Sequence, residues 1–409
     1  LFQCLTEEFP GLRKLSVPTG KTEHLMRCYH EVLLVLLGRL WSLLYQVLPT
    51  EQANPWTQYF LQFYICLKSL MALTTENKML KIEDLHGRVH DYLRISITEN
   101  CNLRCTYCMP AEGINLTPKS HIMTADEIVS IAKTFVALGV KKIRLTGGEP
   151  LVRKDARTII ERLGNLGVEL TMTTNGLLVH EYIETFKAAG ITSLNISLDT
   201  LNKEKYKQIT RRDHYDALWK NIHLLVNNNF KVRINVVLIK GFNDCEILDF
   251  INLTKDVNIQ IRFIEFMPFN GNQWDKSKLV TYAEILEKIH THFPLENILR
   301  TEDKPNDTAK NHKIKFYAGS FSVISSVTNP FCGTCNRIRL TADGKLKNCL
   351  FSNTENALLD TLRKGESILP LIEKNIKAKF PVRGGMENDD AFQNPKLFSK
   401  NRSMIKIGG

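Results

Sequence analysis

The sequence predicts an α/β fold in which helices cover a mostly parallel sheet. From about residue 90, short runs of β-branched and apolar residues each end in a loop and give way to a helix-like segment, and six such units follow one another. Nearly continuous apolar strands that alternate with helices are typical of a buried parallel sheet. In such folds the working residues follow the carboxyl ends of the strands. We therefore expect the functional site at that edge.

Each element is assigned from this alternation. The predicted strands are Tyr92–Ile97, Lys142–Thr146, Glu169–Thr173, Ser193–Ser197, Lys231–Leu238 and Gln260–Phe266. The predicted helices are Thr124–Leu138, Ala156–Leu166, His180–Ala189, Ala217–Asn227 and Cys245–Thr254. The pattern then changes, and the segments that follow are a helix, a polar loop, a strand-like stretch and a helical tail: Tyr282–His290, Thr301–His312, Lys313–Val327 and the residues beyond. We interpret residues 301–409 as a smaller α+β region that covers the open side of the sheet.

The first 78 residues differ from the rest. They contain no Asp, and their apolar stretch Val32–Leu48 includes an arginine and is short for a membrane span, which needs about 20 residues. The chain begins with Leu1, whereas Met79 opens a segment that continues smoothly into the β-α units. We hypothesise that residues 1–78 are an extension outside the functional protein. The expected regions are then 79–300 and 301–409.

Composition narrows the class of protein. Of the 409 residues, 43% are hydrophobic and 24% are charged, as in a soluble globular protein. The net charge of +11 is compatible with an ordinary solvated surface, but also with a field that attracts a polyanion such as a nucleic acid or a nucleoside triphosphate. The ten cysteines are too few for a disulfide framework in so long a chain, which favours a reducing, cytoplasmic setting.

Six of the cysteines form two sets of three. Cys101-x3-Cys105-x2-Cys108 follows the first predicted strand, and Cys332-x2-Cys335-x13-Cys349 lies far downstream. A cluster or metal with three protein ligands keeps one position open for another molecule. Three closely spaced thiolates fit three corners of a [4Fe–4S] cube. The alternative is a zinc knuckle with a distant fourth ligand; the aromatic residue inside the first run, which offers a stacking surface, favours the cube.

A second motif, Gly147-Gly148-Glu149-Pro150, follows the second predicted strand. Two glycines allow the backbone to come close to a ligand, and we expect their amide donors to be free to bind it. An ordinary turn before a helix is the alternative. The position of the motif, in register with the cysteine run, favours the binding interpretation.

These motifs together resemble the radical S-adenosylmethionine (SAM) superfamily, and residues 79–409 resemble more closely its GTP 3′,8-cyclase (MoaA) family, of molybdenum cofactor biosynthesis. The matching segments beyond the two motifs are Arg94–Thr98, Ile143–Thr146, Thr173–Gly176, Ser197–Asp199, Arg262–Met267, Cys332–Arg339 and the final Gly408-Gly409. The resemblance implies an incomplete (β/α)6 TIM-type barrel of the radical SAM kind. It also implies a lyase that converts GTP to (8S)-3′,8-cyclo-7,8-dihydroguanosine 5′-triphosphate: a 5′-deoxyadenosyl radical from SAM removes hydrogen from ribose C3′, and the carbon radical attacks C8 of guanine.

The resemblance also implies roles for individual residues. One [4Fe–4S] cluster, which binds and cleaves SAM, would be held by Cys101, Cys105 and Cys108. A second, which binds the guanine end of GTP, would be held by Cys332, Cys335 and Cys349. The positions that match SAM contacts are Tyr107, Gly148, Ser197 and Met267. Those that match GTP contacts are Arg94, Arg144, Thr173, Arg337, Ile338 and Arg339, with Lys142, Arg233 and Arg262 as further basic positions near the triphosphate. The tail Gly408-Gly409 would enter the active site, although a frayed terminus would look the same.

Clustered Arg and Lys are the partners that a triphosphate requires. We expect these residues to follow the strands and face the barrel mouth, although any one arginine could instead form a surface ion pair. The family usually has Lys where this chain has Arg233, so the charge is kept but the geometry differs. Arg337 and Arg339 point to one side if their segment is extended, and could hold the substrate beside the second cluster.

Further partners implied by the family are an external electron donor and a downstream cyclic pyranopterin monophosphate synthase, for a monomer or homodimer without nucleic acid or membrane. Two alternatives remain open at this point. One is a peptide-modifying radical SAM enzyme with an auxiliary cluster, which usually has more C-terminal cysteines. The other is a zinc-bearing nucleic-acid-binding protein, suggested by the positive charge, although no interleaved basic and aromatic stripe is present.

Overall fold

The computed structural model describes residues 81–109, 113–272, 274–388, 392 and 394–408. The hypothesis about residues 1–78 lies outside them. Within this part of the chain, twelve strands form one sheet in the order β12-β11-β10-β1-β2-β3-β4-β5-β6-β9-β8-β7. The strands are β1 (Tyr92–Ser96), β2 (Lys142–Thr146), β3 (Glu169–Thr174), β4 (Ser193–Ser197), β5 (Lys231–Leu238), β6 (Gln260–Glu265), β7 (Ile298–Arg300), β8 (Lys310–Ile314), β9 (Ser320–Ile324), β10 (Arg337–Leu340), β11 (Lys345–Lys347) and β12 (Asn356–Ala357).

Strands β1 to β6 are adjacent in chain order and all parallel, as the sequence predicts. The helices that connect them are α1 (Ala125–Ala137), α2 (Ala156–Gly164), α3 (Ile183–Ala188), α4 (Lys203–Thr210), α5 (Tyr215–Asn227) and α6 (Ile247–Asn252). Helix α1 begins with a capping box, in which Thr124 and Glu127 satisfy each other's backbone amides. The fold class is therefore confirmed.

The central strands carry two different faces, contrary to the expectation of nearly continuous apolar strands. Leu93 and Ile95 of β1, like Ile143 and Leu145 of β2, are fully buried in the hydrophobic core that the helices share. Burial of each such side chain contributes roughly 1.5–3 kcal/mol to stability. The intervening positions are polar or charged because they point into the lumen of the partial barrel. The Lys, Arg and Thr side chains of that inner face show this alternation in the sequence itself.

The C-terminal residues extend the sheet at both edges. Strand β9 runs parallel to β6, and β10 runs parallel to β1, so both continue the barrel-like sheet. The remaining strands β7, β8, β11 and β12 pair antiparallel outside them. The two edges of the sheet do not pair with each other, which gives an incomplete barrel. Further helices are α7 (Tyr282–His290), α8 (Leu358–Arg363), α9 (Leu369–Lys377), α10 (Pro395–Phe398) and α11 (Met404–Ile407).

Several predicted elements need correction. The strand-like stretch Lys313–Val327 is wrong as one strand: it spans parts of β8 and β9, which are antiparallel and joined by a turn in which Phe316 takes a φ of 69°. The predicted loop Thr301–His312 is shorter, because β8 already begins at Lys310. The helices expected at His180–Ala189 and Cys245–Thr254 each consist of a 3-10 turn followed by a shorter α-helix. Helix α4 was not predicted.

No helix in the described part of the chain is both long enough and apolar enough to span a membrane.

Candidate active site

One cavity of about 660 Å³ occupies the lumen of the partial barrel. It is lined by nearly all the side chains that the sequence singles out. Those from the cysteine sets and the SAM positions are Cys101, Cys105, Cys108, Cys332, Cys335, Cys349, Tyr107, Gly148, Ser197 and Met267. Those from the GTP positions are Arg94, Lys142, Arg144, Thr173, Arg233, Arg262, Arg337 and Arg339. The structure therefore brings together residues that are more than 250 positions apart in the chain.

The first cysteine set lies in the loop after β1, where the sequence predicts it. The backbone amides of Cys108 and Met109 donate to the Cys105 carbonyl over 3.0 and 2.9 Å, which winds the loop into a tight turn. Arg104 and Thr106 anchor this turn, since their amides donate to carbonyls at the end of α4. The unpredicted helix α4 thus supports the cysteine loop.

Carboxylates surround the first set. Burial raises the pKa of Cys101 to about 11 and that of Cys108 to about 12, and it also raises the pKa of Cys105 well above its usual range. The negative charge of Asp199 adds to this effect at Cys105 and Cys108, and Glu149 adds to it at Cys101. These thiols therefore keep their protons at neutral pH until a metal displaces them.

The glycine motif supports the cysteine loop more directly than expected. The amide of Gly148 donates to the Thr98 carbonyl and that of Glu149 to the Asn100 carbonyl, each over 2.7 Å. The Gly148 amide is therefore not free for a ligand, which corrects the prediction for that glycine. A Cβ at Gly147 would lie 2.8 Å from the Thr98 carbonyl oxygen, and one at Gly148 would clash with the Asn100 carbonyl oxygen. The glycines are required because two loops cross here in backbone contact.

Glu149, in the same motif, organises the next loop. Its buried carboxylate accepts hydrogen bonds from the amides of Leu151 and Asn175 and from the Thr174 hydroxyl. Burial raises its pKa to about 7, although these hydrogen bonds act in the opposite direction. Glu149 therefore ties the ends of β2 and β3 together beside the first cysteine set.

Tyr107 and Asp199 form a hydrogen-bonded pair at this end of the cavity. The Tyr107 hydroxyl donates to Asp199 Oδ2 over 2.8 Å, and Asp199 Oδ1 accepts from the Val237 amide over 2.9 Å. Burial raises the pKa of Asp199 to about 6. The pair fixes the orientation of the aromatic ring beside the cysteines. Asp199 was quoted in a matching segment of the sequence, but no role was predicted for it.

The second cysteine set lies at the other end of the strands. Tyr92, the first residue of β1, pairs with Arg337 of the parallel strand β10, so Cys335 precedes the amino ends of both strands. Strand β11 is antiparallel, so Cys349 returns to that same end. Cys101 follows the carboxyl end of β1. Because a five-residue strand is roughly 13–16 Å long, the two sets lie at opposite ends of the lumen.

Cations surround the second set. Burial acts to raise the pKa of Cys335, but the charges of Arg337 and Lys379 outweigh it and lower the pKa to about 6. The Lys379 ammonium lies 3.5 Å from Cys335 Sγ and donates to the Arg337 carbonyl over 2.9 Å. For Cys332, burial prevails and raises the pKa.

A buried polar network holds Lys379 in place. Its ammonium also lies 3.5 Å from His90 Nδ1, and His90 Nε2 lies 3.0 Å from Asp84 Oδ2. Sequence reasoning missed all three residues, because nothing in their spacing distinguishes them from surface residues. The network places a lysine that is 4% exposed beside a candidate cluster ligand.

The basic residues of the cavity belong to the strands themselves. In register across the sheet, Arg94 of β1 pairs with Arg144 on one side and Arg339 on the other. Arg233 and Arg262 come from β5 and β6. All five point into the lumen because they occupy the inner face of their strands. The expectation that they follow the strands and face the mouth is wrong; the two-residue period of a strand accounts for their position.

These cations are buried with little opposing charge. Burial and the neighbouring charges of Arg144 and Arg233 lower the pKa of Arg262 to about 9, and burial lowers that of Arg339 to about 10. Nε of Arg262 and Nη2 of Arg337 have no hydrogen-bond partner within the described residues. A buried group of like charges with unused donors is suited to bind a polyanion.

Tyr92 lies beneath two of these cations. Lys142 and Arg144 stand over its ring, 5.4 and 5.9 Å from the centroid, and Arg144 Nε donates to its hydroxyl. Burial acts to raise the pKa of Tyr92, but the charges of Arg144 and Arg94 lower it to about 8. Tyr92 was missed, although the two-residue period from Arg94 points to it.

Ile338 does not line the cavity. Its side chain is fully buried on the opposite face of β10, between Arg337 and Arg339. Only its backbone could contact a ligand in the lumen. Gly409 lies outside the described residues.

Gly408 lies against the strands near the first end. Arg339 Nη1 donates to its carbonyl over 2.8 Å, and a Cβ on it would lie 2.6 Å from Thr146 Oγ1 and 2.8 Å from Ser96 Cβ. Its φ of 86° also favours glycine. The tail is therefore packed against the carboxyl ends of β1 and β2, and it is not frayed up to this residue.

The donor chemistry of both sets fits an iron–sulfur cluster, because thiolates are its usual protein ligands. Each set offers three thiols to one cavity. The charges of Cys101 and Cys108 raise the pKa of Cys105, and those of Cys349 and Cys335 raise the pKa of Cys332. Yet no group of three or more His, Cys, Asp or Glu side chains in the described ranges is arranged so that it could hold a single metal ion.

Two family models match the chain. Residues 95–254 match the radical SAM superfamily, and residues 259–383 match the model described as "Molybdenum Cofactor Synthesis C". Among solved structures, SuiB of Streptococcus suis has a similar fold, with a TM-score of 0.53 and 15% identity over 84% of this chain and 77% of that one.

Curated relatives are much more similar in sequence. "GTP 3′,8-cyclase, mitochondrial" of Arabidopsis thaliana is 47% identical over 332 residues, which cover 80% of this chain and 83% of the relative. "GTP 3′,8-cyclase" of Alkaliphilus oremlandii is 40% identical, and the match covers 80% of this chain and all of the relative. The chain spans about half the length of other curated relatives. For example, the match covers 53% of "Molybdenum cofactor biosynthesis protein 1" of Dictyostelium discoideum. The chain belongs to the GTP 3′,8-cyclase family of the radical SAM superfamily.

Proposed function

We propose that this chain is a lyase that converts GTP to (8S)-3′,8-cyclo-7,8-dihydroguanosine 5′-triphosphate, the first step of molybdenum cofactor biosynthesis. The observation that carries the proposal is one continuous lumen with three thiols at each end and buried cations between them. Family membership and the names of the relatives support the same reaction. The alternatives of a peptide-modifying enzyme and a zinc-bearing nucleic-acid binder have no comparable support.

The first end of the lumen binds SAM. Cys101, Cys105 and Cys108 hold a [4Fe–4S] cluster, which when bound supplies the electron that cleaves SAM reductively. Tyr107, Gly148, Ser197 and Met267 are the proposed SAM contacts, all of which line the cavity near this end. The carboxylate of Asp199 suits a ligand that carries a sulfonium and an ammonium charge. Its hydrogen bond to Tyr107 keeps the ring in a fixed position beside that ligand.

The second end binds the guanine of GTP. Cys332, Cys335 and Cys349 hold a second cluster with one open coordination position, a proposal that the "Molybdenum Cofactor Synthesis C" match is consistent with. Lys379 stabilises the Cys335 thiolate by charge and by its 3.5 Å contact with the sulfur. Arg337 lies beside the same thiolate and offers an unused donor to the substrate.

The basic residues between the two ends bind the triphosphate and the rest of the nucleotide. The proposed contacts are Arg94, Lys142, Arg144, Thr173, Arg233, Arg262, Arg337 and Arg339, with the backbone at Ile338. Arg144 is already oriented, because it donates to Tyr92 and to Thr173 Oγ1. Fixed donors of this kind lower the cost of positioning the ribose against the SAM end.

Gly408 packs against the carboxyl ends of β1 and β2, and the tail Gly408-Gly409 has a proposed catalytic role at this SAM end. The contact of the Gly408 carbonyl with Arg339 links the tail to the GTP-binding residues. The tail thus helps to exclude water from the reacting groups.

We also propose the wider setting that the sequence suggests. Residues 79–300 form the SAM-binding region, and residues 301–409 form the region of the second cluster. The protein takes electrons from an external donor in a reducing, cytoplasmic compartment and acts as a monomer or homodimer. A cyclic pyranopterin monophosphate synthase consumes its product. Cofractionation with the product-consuming activity and sedimentation of the reconstituted protein test these points.

The experiment that tests the function is an anaerobic assay of the iron–sulfur-reconstituted protein with GTP, SAM and a reductant. We expect 5′-deoxyadenosine together with the cyclised nucleotide, from protein that holds about eight iron and eight sulfide. Two tightly bound zinc ions without iron, or SAM cleavage without any cyclised nucleotide, would contradict the proposal.

A further inference from the structure

The loop between β7 and β8, residues 301–309 (the β7–β8 loop), has no role in the function described so far, yet it forms part of the cavity wall. Its lining residues include Thr301, Asp307 and Thr308, and Asn311 of β8 lies beside them. The loop holds itself in shape with its own carboxylates. Arg300 forms an ion pair with Asp303, and the Lys304 amide donates to Asp307 Oδ2 over 3.1 Å.

A chain of side-chain amides connects this loop to Arg233. Gln260 Nε2 donates to Asn311 Oδ1 over 3.0 Å. Arg233 Nε donates to Gln260 Oε1 over 3.2 Å. Gln260 begins β6 and pairs directly with Arg233 of β5, so the sheet register holds the two side chains next to each other.

The direction of this chain is fixed by Asp303. Asn311 donates to Asp303 Oδ1 through its backbone amide over 3.0 Å and through Nδ2 over 2.8 Å. An ionised carboxylate can only accept hydrogen bonds, so Nδ2 of Asn311 must face Asp303 and Oδ1 must face Gln260. Gln260 must then present Nε2 to Asn311 and Oε1 to Arg233. One carboxylate thereby sets the orientation of two amides.

Gln260 can orient an arginine in a way that it could not orient a lysine. A hydrogen bond at Nε fixes the plane of the guanidinium, whereas an ammonium can donate to the same oxygen but has no plane to be fixed. Arg144 carries like charge nearby, and the amide chain holds Arg233 in position against that repulsion.

We infer that Gln260 and Asn311, oriented by Asp303, are positioning residues that hold the Arg233 guanidinium for the phosphate groups of the substrate. The inference rests on the proposed function, because it requires a phosphate-bearing substrate in the lumen. It assigns the β7–β8 loop to substrate binding, although its carboxylates do not bind the substrate themselves.

The test is a double-mutant cycle on the affinity of the reconstituted protein for GTP, measured by calorimetry without SAM. Gln260→Met keeps the length of the side chain and loses both hydrogen bonds. We expect the Kd for GTP to rise about fivefold, as for the loss of one hydrogen bond of ordinary strength. In an Arg233→Lys background, the same Gln260→Met change should leave the Kd unchanged.

Turnover separates positioning from a general structural effect. In Gln260→Met, the KM for GTP should rise while kcat and the KM for SAM stay within about twofold of wild type. Gln208→Met, an exposed glutamine of α4 outside the cavity, is the matched control and should change nothing. Asn311→Leu provides a second route to the same cycle if Gln260→Met does not fold.

Three outcomes would overturn the inference. An unchanged Kd in Gln260→Met would show that the amide chain does not matter. An equal loss of affinity in the Arg233→Lys background would show that Gln260 acts on the substrate or the fold directly. Wild-type protein that binds no GTP would overturn the proposed function as well, which distinguishes that failure from the other two.

Discussion

At one end of the lumen three thiols lie among carboxylates, whereas at the other end three thiols lie near cations. The pKa values of Cys101, Cys105 and Cys108 are raised by burial and then by Asp199 and Glu149. The pKa of Cys335 is lowered by Arg337 and Lys379 in spite of its burial. The same ligand set therefore occurs in opposite electrostatic settings.

This difference supports the proposed ligand of each end. SAM carries a positive sulfonium, which a negative environment stabilises, whereas GTP carries several negative charges, which a positive environment stabilises. The number of cysteines is the same at the two ends and would not separate the roles. The charges around the cysteines do separate the roles. Each of the substitutions that follow changes one end of the lumen or the connection between the two ends.

The largest effect is expected from Cys105→Ala at the first end. Loss of one of three ligands should remove the SAM-binding cluster, lower bound iron from about eight to about four per chain, and abolish 5′-deoxyadenosine formation. Iron analysis and chromatography of the anaerobic reaction measure both. Cys245→Ala, at an exposed cysteine outside both sets, should change neither quantity. Formation of 5′-deoxyadenosine at the wild-type rate by Cys105→Ala would remove the assigned role of the first end.

Cys335→Ala should affect the second end selectively. We expect the yield of cyclised nucleotide to fall by more than about 100-fold. Loss of a group that only supports a metal ligand typically costs about 10–100-fold, and Cys335 is a proposed ligand itself. Reductive cleavage of SAM should continue, uncoupled from cyclisation, because the first end is intact. Quantifying both products in one reaction measures the ratio. Unchanged turnover of GTP would mean that the second set has a different role.

Gly408→Ala should disturb the connection between the ends. The added Cβ would lie 2.6 Å from Thr146 Oγ1, so the tail must move away from Arg339. Because a misplacement of about 1 Å can reduce turnover about 100-fold, we expect kcat to fall 10- to 100-fold while iron content is unchanged. Gly190→Ala is the matched control, since Gly190 also has a positive φ but no atom near the position of a Cβ. Equal losses in both variants would argue for backbone strain instead of a blocked contact.

Tyr107→Phe should have the smallest effect. It removes the hydrogen bond to Asp199 but keeps the aromatic ring, so we expect the KM for SAM to rise about fivefold, the loss that goes with one hydrogen bond of ordinary strength. The KM for GTP should not change, because the proposed guanine site is at the other end. Tyr182→Phe, at a tyrosine outside the cavity whose hydroxyl donates to the Leu151 carbonyl, should leave both constants unchanged. A larger rise for GTP than for SAM would contradict the assignment of the two ends.

Much of the fold and of the site could be predicted from the sequence. The six parallel strands and the loop position of Cys101, Cys105 and Cys108 follow from local patterns, because the period of a strand and the turn that ends it are written in adjacent residues. The arginines were identified correctly as members of one cavity, but they were assigned to the wrong part of the strand. Their inward direction follows from the two-residue period within each strand, which the prediction did not apply to them.

Other features depend on contacts between distant segments. The Lys379 ammonium contacts Cys335 Sγ although the two residues are 44 positions apart in the chain. Asn311 accepts a hydrogen bond from Gln260, which is 51 positions away. The location of the second cysteine set follows only from the pairing of β10 with β1. In this pairing Arg337 lies beside Tyr92, which is 245 positions earlier in the chain. The two-residue period of a strand could nevertheless have identified two further residues that line the cavity. Tyr92 lies two positions before Arg94, and Asn195 lies two positions before Ser197.

The assignment of one ligand to each end is tested most directly by electron–nuclear double resonance on a variant that lacks the first set, Cys101, Cys105 and Cys108 all changed to Ala, with GTP labelled with ¹⁵N in guanine. The cluster that remains should couple to the ¹⁵N nuclei, and a variant that retains only the first set should couple to labelled methionine nitrogen of SAM but not to guanine. A guanine coupling in the variant with only the first set, or none in the variant with only the second, would contradict the account.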